Sequence, residues 1–361
     1  TQAEHYYKQV IRLQPNDAEA YVQLGNCYIE MGNAKKAIES FQSAIVLQPT
    51  YAKAYRQLGL AYQAVKDYQQ SAIMYHKAVE INPKDCDSIE AIGKLYSKID
   101  KHEQAIECFK ESIKIDPTRS HPYVELAMTN ANNCNWIEYE TSLRLLKEIT
   151  EAQLAEHQVP TIAPFTALAF PLTPAVHYAI AKSHIDFIKR NTDPIRKQLN
   201  FRYRADKKGK IRIGYLSADF KKHTVSHLCQ GLFTTHNRDD FEIYSYALNK
   251  DDESDIRQKI ADNSDVFRDL HNNPHVEAAK IIHGDNIDIL VDLTAHTAGG
   301  RPEILALKPA PIAINYLGYL GTLGADFVDY IIGDSIVTPT EHEKYYAEKF
   351  IQMPHTYQIN S

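Results

Sequence analysis

The sequence predicts a two-part chain: a superhelix of paired α-helices over about the first 150 residues, followed by an α/β lobe. Prolines recur every 34 residues, at Pro15, Pro49, Pro83 and Pro117, and a fixed period of this length is typical of stacked helical repeats. From residue 211 onward, segments with strand character alternate with helical ones, which favours a parallel sheet with helices on both faces. With 361 residues, the chain is also longer than most single domains.

Each position of the repeat has a physical explanation. Small residues such as Gly25 and Gly59 allow paired helices to approach closely, and aromatic residues such as Phe41 and Tyr75 fill the gap between stacked pairs. Proline ends each unit because it cannot continue a helix and restricts the residue before it.

The repeats are predicted to form a partial unit over residues 1–14, three full units over about 16–117 and a degenerate unit over 118–150. The pattern resembles the tetratricopeptide repeat, whose concave face usually binds a peptide or a protein. First helices of the pairs form most of that face. A plain spacer is the alternative.

Residues 151–204 are predicted to form a helical connector, with helices at EAQLAEHQ and AVHYAIAKSHIDFIKR around a packed, proline-rich segment. The α/β lobe is predicted over residues 205–361. Its first predicted strand begins the segment IRIGYLSADF, which continues into a loop. The other predicted strands are FEIYSYAL, DVFRDL, IDILVDLTA, PIAINYLGY, VDYIIGD and EKFIQMP, and the predicted helices are TVSHLCQGLFTTH, DESDIRQKIAD, HVEAAKIIHGD and PEILAL. Ligands bind such sheets at the carboxyl ends of strands, so we expect a site in the loops that follow them.

The loop after the first strand contains Asp219, His223 and His227. Histidine is suited to proton transfer near neutral pH. The two histidines, four residues apart, could face one metal ion on a helix, but no third ligand is evident nearby. In the structural alternative, Asp219 caps the following helix and His227 is packed.

The loop after the fourth strand contains His296, Thr297, two glycines and Arg301. The glycines allow close approach of the backbone to a ligand, and Arg301 could meet an anion or simply begin a helix. Three glycines, beginning with Gly318, follow the next strand. They indicate either a cradle for a phosphate or sugar, or a tight turn.

These three loops, in this order and behind this repeat, resemble the protein O-GlcNAc transferase family, which includes the plant SPINDLY branch. The matching segments are IRIGYLSADFKKHTVSHL, ILVDLTAHTAGGRPEILALKPAPI, YLGYLGTLGADFVDYIIGD and AEKFIQMPHTY. The resemblance implies a Rossmann-like lobe of a B-type glycosyltransferase. It also implies an inverting enzyme that moves GlcNAc from UDP-GlcNAc to Ser or Thr of proteins, with no metal and no cofactor beyond the nucleotide-sugar co-substrate.

Carried over residue by residue, the resemblance implies that Asp219 and His223 are catalytic and that Thr297, Arg301 and Gly318 bind the sugar side of the substrate. A non-catalytic peptide-binding scaffold is the alternative, and the presence of all five residues disfavours it.

Two departures from the family pattern concern the substrates. His296, also expected to bind substrate, stands where the animal enzymes have Tyr; SPINDLY and bacterial relatives carry His, and some of them use GDP-fucose. A SPINDLY-like O-fucosyltransferase is therefore a second alternative. The animal repeats grip the acceptor with a ladder of Asn, whereas Gln23, Gln57, Ala91 and Glu125 occupy the equivalent positions here. We expect an acceptor groove that uses Gln23, Gln57 and Glu125.

Composition limits the partners and the location. The formal net charge of -6 disfavours general nucleic-acid binding, and no apolar run has the length of a membrane span. Five cysteines without a C-x-x-C pair favour a reducing setting, the cytoplasm with the nucleus as an alternative. The expected partners are acceptor proteins or peptides and a nucleotide sugar, and the repeats could also mediate self-association.

The sequence lacks an initial methionine and the second lobe of the family, which holds most of the nucleotide site. We therefore expect a fragment that alone neither binds the nucleotide tightly nor turns over.

Overall fold

The computed structural model describes residues 2–203 and 209–359. The chain divides into two compact units, Thr1–Ile149 and Thr150–Ser361. The predicted start of the α/β lobe at residue 205 lies outside the described residues, so the boundary between connector and lobe stays a prediction.

The first unit is helical, as the 34-residue period predicts. Its helices are α1 (Gln2–Leu13), α2 (Ala18–Glu30), α3 (Ala34–Leu47), α4 (Ala52–Ala64), α5 (Tyr68–Ile81), α6 (Cys86–Lys98), α7 (His102–Ile115) and α8 (His121–Asn132), and α9 (Trp136–Ala155) continues past the boundary at residue 149. The prediction of a separate helix at residues 151–158 is wrong. EAQLA instead forms the end of α9, because good helix formers continue there and the next proline is Pro160.

Short polar side chains specify where several of these helices begin. Asp17, Asn33 and Asp67 stand just before α2, α3 and α5. Each side chain accepts a hydrogen bond from the backbone N–H three residues later, at 3.2, 3.3 and 3.0 Å. These bonds satisfy N–H groups that the helix itself leaves unpaired, so the register of each pair is fixed locally.

The glycines of the repeat lie against buried aromatic rings. A Cβ on Gly59 would lie 2.7 Å from a ring carbon of Tyr75, and Gly25 stands in the same relation to Phe41. Both rings are fully buried. The prediction that small residues permit close approach of paired helices is therefore confirmed. The rings lie against the glycines of their own pairs, α2 with α3 and α4 with α5, whereas the prediction placed them between stacked pairs.

The second unit begins with helices and continues with alternating strands and helices. Its helices are α10 (Pro164–Ala167), α11 (Pro174–Leu199), α12 (Thr224–Cys229), α13 (Leu232–Thr235), α14 (Asp255–Asp262), α15 (His275–Gly284) and α16 (Pro302–Ala306), with a 3-10 helix at Thr340–Tyr345. Its strands are β1 (Ile211–Ser217), β2 (Phe241–Ala247), β3 (Val266–Asp269), β4 (Ile289–Asp292), β5 (Ile312–Asn315), β6 (Tyr330–Asp334) and β7 (Lys349–Met353). The single helix predicted at TVSHLCQGLFTTH is wrong: it breaks into α12 and α13 around Gly231, a poor helix former.

The described strands form one parallel sheet in the order β3-β2-β1-β4-β5-β6-β7, which confirms the predicted fold class. The central strands are buried on both faces. Leu216 and Leu290 belong to the apolar core on one face, and Tyr215 and Val291 belong to the core on the other. Burial on both faces is typical of parallel sheets, and it makes the ends of β1 and β4 a firm support for the loops that follow.

α11 is a long helix of 26 residues with a defined start and end. The Thr173 hydroxyl accepts a hydrogen bond from the Val176 N–H at 3.3 Å, and Asn200 ends the helix in the left-handed conformation with φ 45°. Neither this helix nor any other in the described part of the chain is long and apolar enough to cross a membrane.

Candidate active site

β1, β4 and β5 lie side by side in the middle of the sheet, so the loops that follow them meet at its carboxyl edge. We refer to residues 217–227 as the first loop, 292–301 as the second loop and 317–324 as the third loop. This edge is the usual location of ligand sites in parallel sheets.

The first loop places a buried carboxylate beside two basic side chains. Asp219 is 4% exposed, and its Oδ1 lies 3.6 Å from both Lys221 Nζ and His223 Nδ1. Ser217 Oγ accepts a hydrogen bond from the Asp219 N–H at 3.0 Å, and the Ser226 hydroxyl donates to the Asp219 carbonyl. The carboxylate is therefore held on a fixed backbone, while His223 is exposed.

His223 is the N-cap of α12, and its Nδ1 accepts a hydrogen bond from the Val225 N–H at 3.3 Å. The alternative in which Asp219 caps this helix is therefore wrong, because its carboxylate lies beside the basic side chains instead. A neutral His223 that accepts at Nδ1 carries its proton on Nε2 and can donate it. With the proton on Nδ1, facing Asp219, Nε2 becomes an acceptor. The ring can thus act on a hydroxyl in either direction.

His227 lies one turn further along α12 and is exposed. The prediction that it is packed is wrong, because the helix buries Ser226 and Cys229 instead. Over residues 2–203 and 209–359, no group of three or more His, Cys, Asp or Glu side chains is arranged to hold a metal ion. Of the two histidines, it is His223 that lies beside the carboxylate.

The second loop is joined to the first by a buried threonine. Thr294 Oγ1 accepts a hydrogen bond from the Ala218 N–H at 2.9 Å, and Thr297, which is half-buried, donates its hydroxyl to the Thr294 carbonyl at 2.8 Å. A Cβ on Gly300 would collide with the Ala295 carbonyl oxygen. Gly300 is therefore required by the turn of the loop itself.

His296 joins the second loop to the third. Its Nε2 donates to the Leu323 carbonyl at 3.0 Å, and its ring meets Tyr319 edge-on with the ring centroids 5.3 Å apart. A carbonyl can only accept, so Nε2 carries the proton. Burial lowers the pKa of His296 to about 4, which keeps the ring neutral at pH 7. Its contact with substrate stays a prediction.

Arg301 is the N-cap of α16, as one alternative predicted. Its guanidinium donates to the Asn273 carbonyl at 2.6 Å, to the Leu270 carbonyl at 3.2 Å and to His275 Nδ1 at 3.0 Å. A guanidinium has five N–H groups, so two remain for a ligand. The predicted contact of Arg301 with substrate stays a prediction, and it depends on those two groups.

The third loop crosses close to other main-chain segments. A Cβ on Gly318 would collide with the Leu293 carbonyl oxygen, and one on Gly324 would lie 2.6 Å from the Lys182 backbone nitrogen in α11. Gly324 also has a φ of 72°, which favours glycine. The tight-turn alternative thus explains these glycines, and the predicted sugar contact of Gly318 stays a prediction.

Two buried polar side chains anchor these loops, and neither is among the site residues predicted from the sequence. Asp292 ends β4 and Asn315 ends β5; they are register partners and are 2% and 1% exposed. Asp292 Oδ1 accepts from the Thr294 N–H at 2.9 Å, and Asn315 Nδ2 donates to the Tyr319 and Gly321 carbonyls at 3.4 and 3.2 Å. A polar residue that directly ends a buried apolar strand is the signal that could have revealed both.

In the repeat unit, the predicted groove residues differ in availability. Gln23 Nε2 donates to Glu19 Oε1 at 2.5 Å, and Glu125 Oε1 lies 3.5 Å from Lys94 Nζ. The side chain of Gln57 is half-buried and makes no hydrogen bond to another described residue. A role for these three residues in gripping an acceptor stays a prediction, and Gln57 has the most available amide.

The hydrogen bonds between loops bring Asp219, His223, Thr297 and Gly318 to one edge of the sheet. An exposed imidazole beside a carboxylate is suited to orient a hydroxyl and exchange its proton. Lys221 and the two remaining N–H groups of the Arg301 guanidinium offer positive charge for an anionic group.

Comparisons with known sequences agree on one family. The sequence profile described as glycosyl transferase family 41 matches residues 133–361. Tetratricopeptide-repeat profiles match residues 6–39, 25–66, 52–85 and 87–119.

Several curated relatives carry transferase names. The probable UDP-N-acetylglucosamine–peptide N-acetylglucosaminyltransferase SEC of Arabidopsis thaliana is 32% identical over 240 residues, which cover 63% of this chain and 24% of the relative. The UDP-N-acetylglucosamine–peptide N-acetylglucosaminyltransferase of Caenorhabditis elegans is 37% identical over 232 residues, covering 63% and 20%. The probable UDP-N-acetylglucosamine–peptide N-acetylglucosaminyltransferase SPINDLY of Arabidopsis thaliana is 33% identical over 147 residues, covering 40% and 16%. The chain thus spans about a quarter or less of the length of these relatives.

A solved structure of a Thermobaculum terrenum O-GlcNAc transferase mutant is similar in fold. The TM-score is 0.59 at 19% identity, and the match covers 94% of this chain and 58% of that one.

Proposed function

Because this chain belongs to glycosyl transferase family 41, we propose that it is part of a protein O-glycosyltransferase that transfers GlcNAc from UDP-GlcNAc to Ser or Thr of proteins. The observation that carries the proposal is the exposed His223 beside the buried Asp219 at the carboxyl edge of the sheet. Both relatives that match over 63% of the chain are named as N-acetylglucosaminyltransferases, which supports GlcNAc as the sugar.

The reaction breaks the bond between the anomeric carbon and the nucleotide diphosphate, and it joins that carbon to the hydroxyl oxygen with inversion. The hydroxyl gives its proton to His223 Nε2, and the nucleotide diphosphate leaves with the electron pair of the broken bond. In this proposal His223 and Asp219 orient the acceptor hydroxyl, Thr297 and Gly318 lie on the sugar side, and Arg301 uses its two remaining N–H groups. His296 supports the second and third loops through Leu323.

The proposed transfer needs no metal ion, because cationic and N–H groups of the protein stabilise the leaving diphosphate. We expect an excess of a chelator such as EDTA to leave the rate of sugar transfer unchanged. A rate that falls with chelation and recovers on adding a divalent ion would contradict this part of the proposal.

The acceptor is proposed to be a protein of the cytoplasm or nucleus, held by the first helices of the repeats. Among the predicted groove residues, Gln57 is the one we expect to bind the acceptor, because its side-chain amide makes no hydrogen bond to another described residue. Replacing Gln57 with Leu should raise the KM for a protein acceptor more than it lowers kcat, since a groove residue contributes to binding and not to the chemical step. A KM equal to that of the unaltered enzyme would exclude this residue from the groove.

A fucosyltransferase is the second candidate, and His296 is the observation that favours it. The full-length product of the gene, given labelled UDP-GlcNAc or labelled GDP-fucose in parallel with protein acceptors, distinguishes the two sugars. The expectation that the 361 residues alone do not turn over stays a prediction, and the same assay on this chain tests it.

A further inference from the structure

Two buried acceptor oxygens stand without a partner at the ends of neighbouring strands. Asp292 Oδ2 and Asn315 Oδ1 are both buried, and neither has a hydrogen-bond partner among the described residues. Buried polar atoms are nearly always paired, because an unpaired one loses its hydration without compensation. The two oxygens therefore need a donor.

The two side chains are neighbours in the sheet. Asp292 and Asn315 are register partners on the parallel strands β4 and β5, and adjacent strands lie roughly 5 Å apart with partner side chains on the same face. The Asn315 amide cannot be turned round, because its nitrogen donates to the carbonyls of Tyr319 and Gly321, which only accept. The oxygen of Asn315 is therefore its unpartnered atom, and Asp292 stands at the register position beside it.

We propose that, at mildly acidic pH, Asp292 is protonated in the folded protein and donates its proton to Asn315 Oδ1. One hydrogen bond between strand ends then connects the two anchored loops. On the β4 side, Asp292 Oδ1 holds the start of the second loop through the Thr294 N–H; on the β5 side, Asn315 holds the third loop. Asp292 is thus a positioning residue for the candidate site.

The electrostatic surroundings favour the neutral acid. Complete burial raises the pKa of Asp292 to about 6 against the backbone N–H groups of Thr294 and Ala295, which lower it, and the charge of Asp219 on the first loop acts in the same direction as burial. Two other ionisable side chains lie further away. His184 of α11 helps to lower the pKa of His296, and the Glu348 carboxylate accepts hydrogen bonds from the Thr322 hydroxyl and the Leu323 N–H in the third loop. The charged group that acts on Asp292 is therefore an anion.

This inference does not depend on the proposed transferase function, since it concerns protonation of the folded chain. The direction in which pH changes the stability follows from the difference between the pKa of Asp292 in the folded and in the unfolded chain. The pKa of Asp292 in the folded chain lies above the ordinary value of 3.8, so its stabilising effect is present below pH 3.8 and is lost as the pH rises through about 6.

The test is thermal unfolding of the whole chain at about pH 5 and about pH 8, on either side of this titration. Asp292→Asn keeps a donor for Asn315 but cannot ionise. Buried histidines such as His296 also titrate in the unfolded chain over this range, so the readout is the difference between variant and wild type. We expect the melting temperature of Asp292→Asn to rise relative to that of the wild type between the lower and the higher pH, and to exceed it at the higher pH. Glu348→Gln measures the contribution of another buried acid, beside the third loop, whose pKa burial also raises.

Asp334 provides a matched control at the end of β6. Its carboxylate accepts hydrogen bonds from the backbone N–H groups of Ile336, Val337 and Tyr357 at 2.9 to 3.0 Å, which lower its pKa. Both test pH values lie above 3.8, so the contribution of the ionised Asp334 is present at each of them. Asp334→Asn should therefore lose about the same stability at the two pH values and keep the pH dependence of the wild type, unlike Asp292→Asn.

The proposal is wrong if Asp292→Asn lowers the melting temperature equally at both pH values and keeps the pH dependence of the wild type. That result would mean that Asp292 is ionised and is satisfied by a buried water. If Asp292→Asn does not fold, Asn315→Asp gives a second test. Two acids would then share one proton, and we expect a steeper loss of stability with rising pH; an unchanged pH dependence would overturn the proposal.

Discussion

His223 and His227 lie one turn apart on α12 and both are exposed, but it is His223 that lies beside the carboxylate of Asp219. If His223 orients the acceptor hydroxyl, His223→Ala should lower kcat of the full-length enzyme by about 10²- to 10⁴-fold, the usual contribution of acid–base groups. His227→Ala is the matched control and should stay close to the wild type. Equal losses in the two variants would show that the effect comes from the helix and not from the site.

A second residue-scale prediction concerns Glu90, a buried carboxylate that connects α6 to the next repeat. Glu90 is 5% exposed and accepts hydrogen bonds from Ser112 Oγ at 2.7 Å, Arg119 Nε at 2.9 Å and His121 Nδ1 at 2.9 Å. Burial alone would raise its pKa, but these bonds outweigh burial and lower the pKa to about 2. The contribution to stability is therefore present above pH 4.5 and is lost as the pH falls toward 2.

The size of the effect on the free energy of unfolding follows from how far the pKa of Glu90 is lowered. A change from 4.5 to about 2 is about 2.5 pKa units, or about 3 kcal/mol as an upper estimate at 1.36 kcal/mol per unit. Glu90→Gln should lower the free energy of unfolding of the helical unit at pH 7 by up to this amount, measured by circular dichroism in urea. Glu80→Gln, at an exposed pair with Lys77, should cost less than about 1 kcal/mol. A Glu90→Gln variant as stable as Glu80→Gln would contradict the assignment.

At the scale of elements, close packing in the repeat competes with helix propensity. Gly→Ala inside a helix ordinarily stabilises by about 0.5–1 kcal/mol, but a Cβ on Gly59 would meet the fully buried Tyr75 ring at 2.7 Å. Overpacking of this kind costs about 1–3 kcal/mol, so the clash should win and Gly59→Ala should destabilise the chain. Gly284→Ala, where nothing lies within 4 Å, is the control and should be neutral or stabilising. A stabilised Gly59→Ala in denaturant unfolding would contradict the packing account.

The same elements show how far the sequence predicts the structure. Periodicity identified the helix pairs and strands because apolar spacing depends on local geometry. Periodicity gave wrong helix boundaries at two places. Residues 151–155 continue α9 instead of beginning a new helix, and the single helix predicted over residues 224–236 is interrupted between α12 and α13. The three loops were also predicted, since topology alone places strand ends together. The hydrogen bond from Ala218 to Thr294, and the pairing of Asp292 with Asn315, join segments far apart in sequence, so no local pattern could reveal them.

At the scale of the whole molecule, a helical repeat unit and a parallel-sheet unit occur in one chain of glycosyl transferase family 41. In the proposed function, the repeats hold the acceptor protein, and the carboxyl edge of the sheet binds the sugar and the acceptor hydroxyl. The chain spans about a quarter or less of its curated relatives, so sugar transfer is best measured on the full-length product of the gene.

The most direct test is transfer of labelled sugar by that full-length protein to protein acceptors, with UDP-GlcNAc and GDP-fucose compared at equal concentration. We predict O-linked incorporation of GlcNAc that His223→Ala abolishes and His227→Ala preserves. Incorporation from GDP-fucose alone, or no incorporation from UDP-GlcNAc by a folded protein, would contradict the central claim.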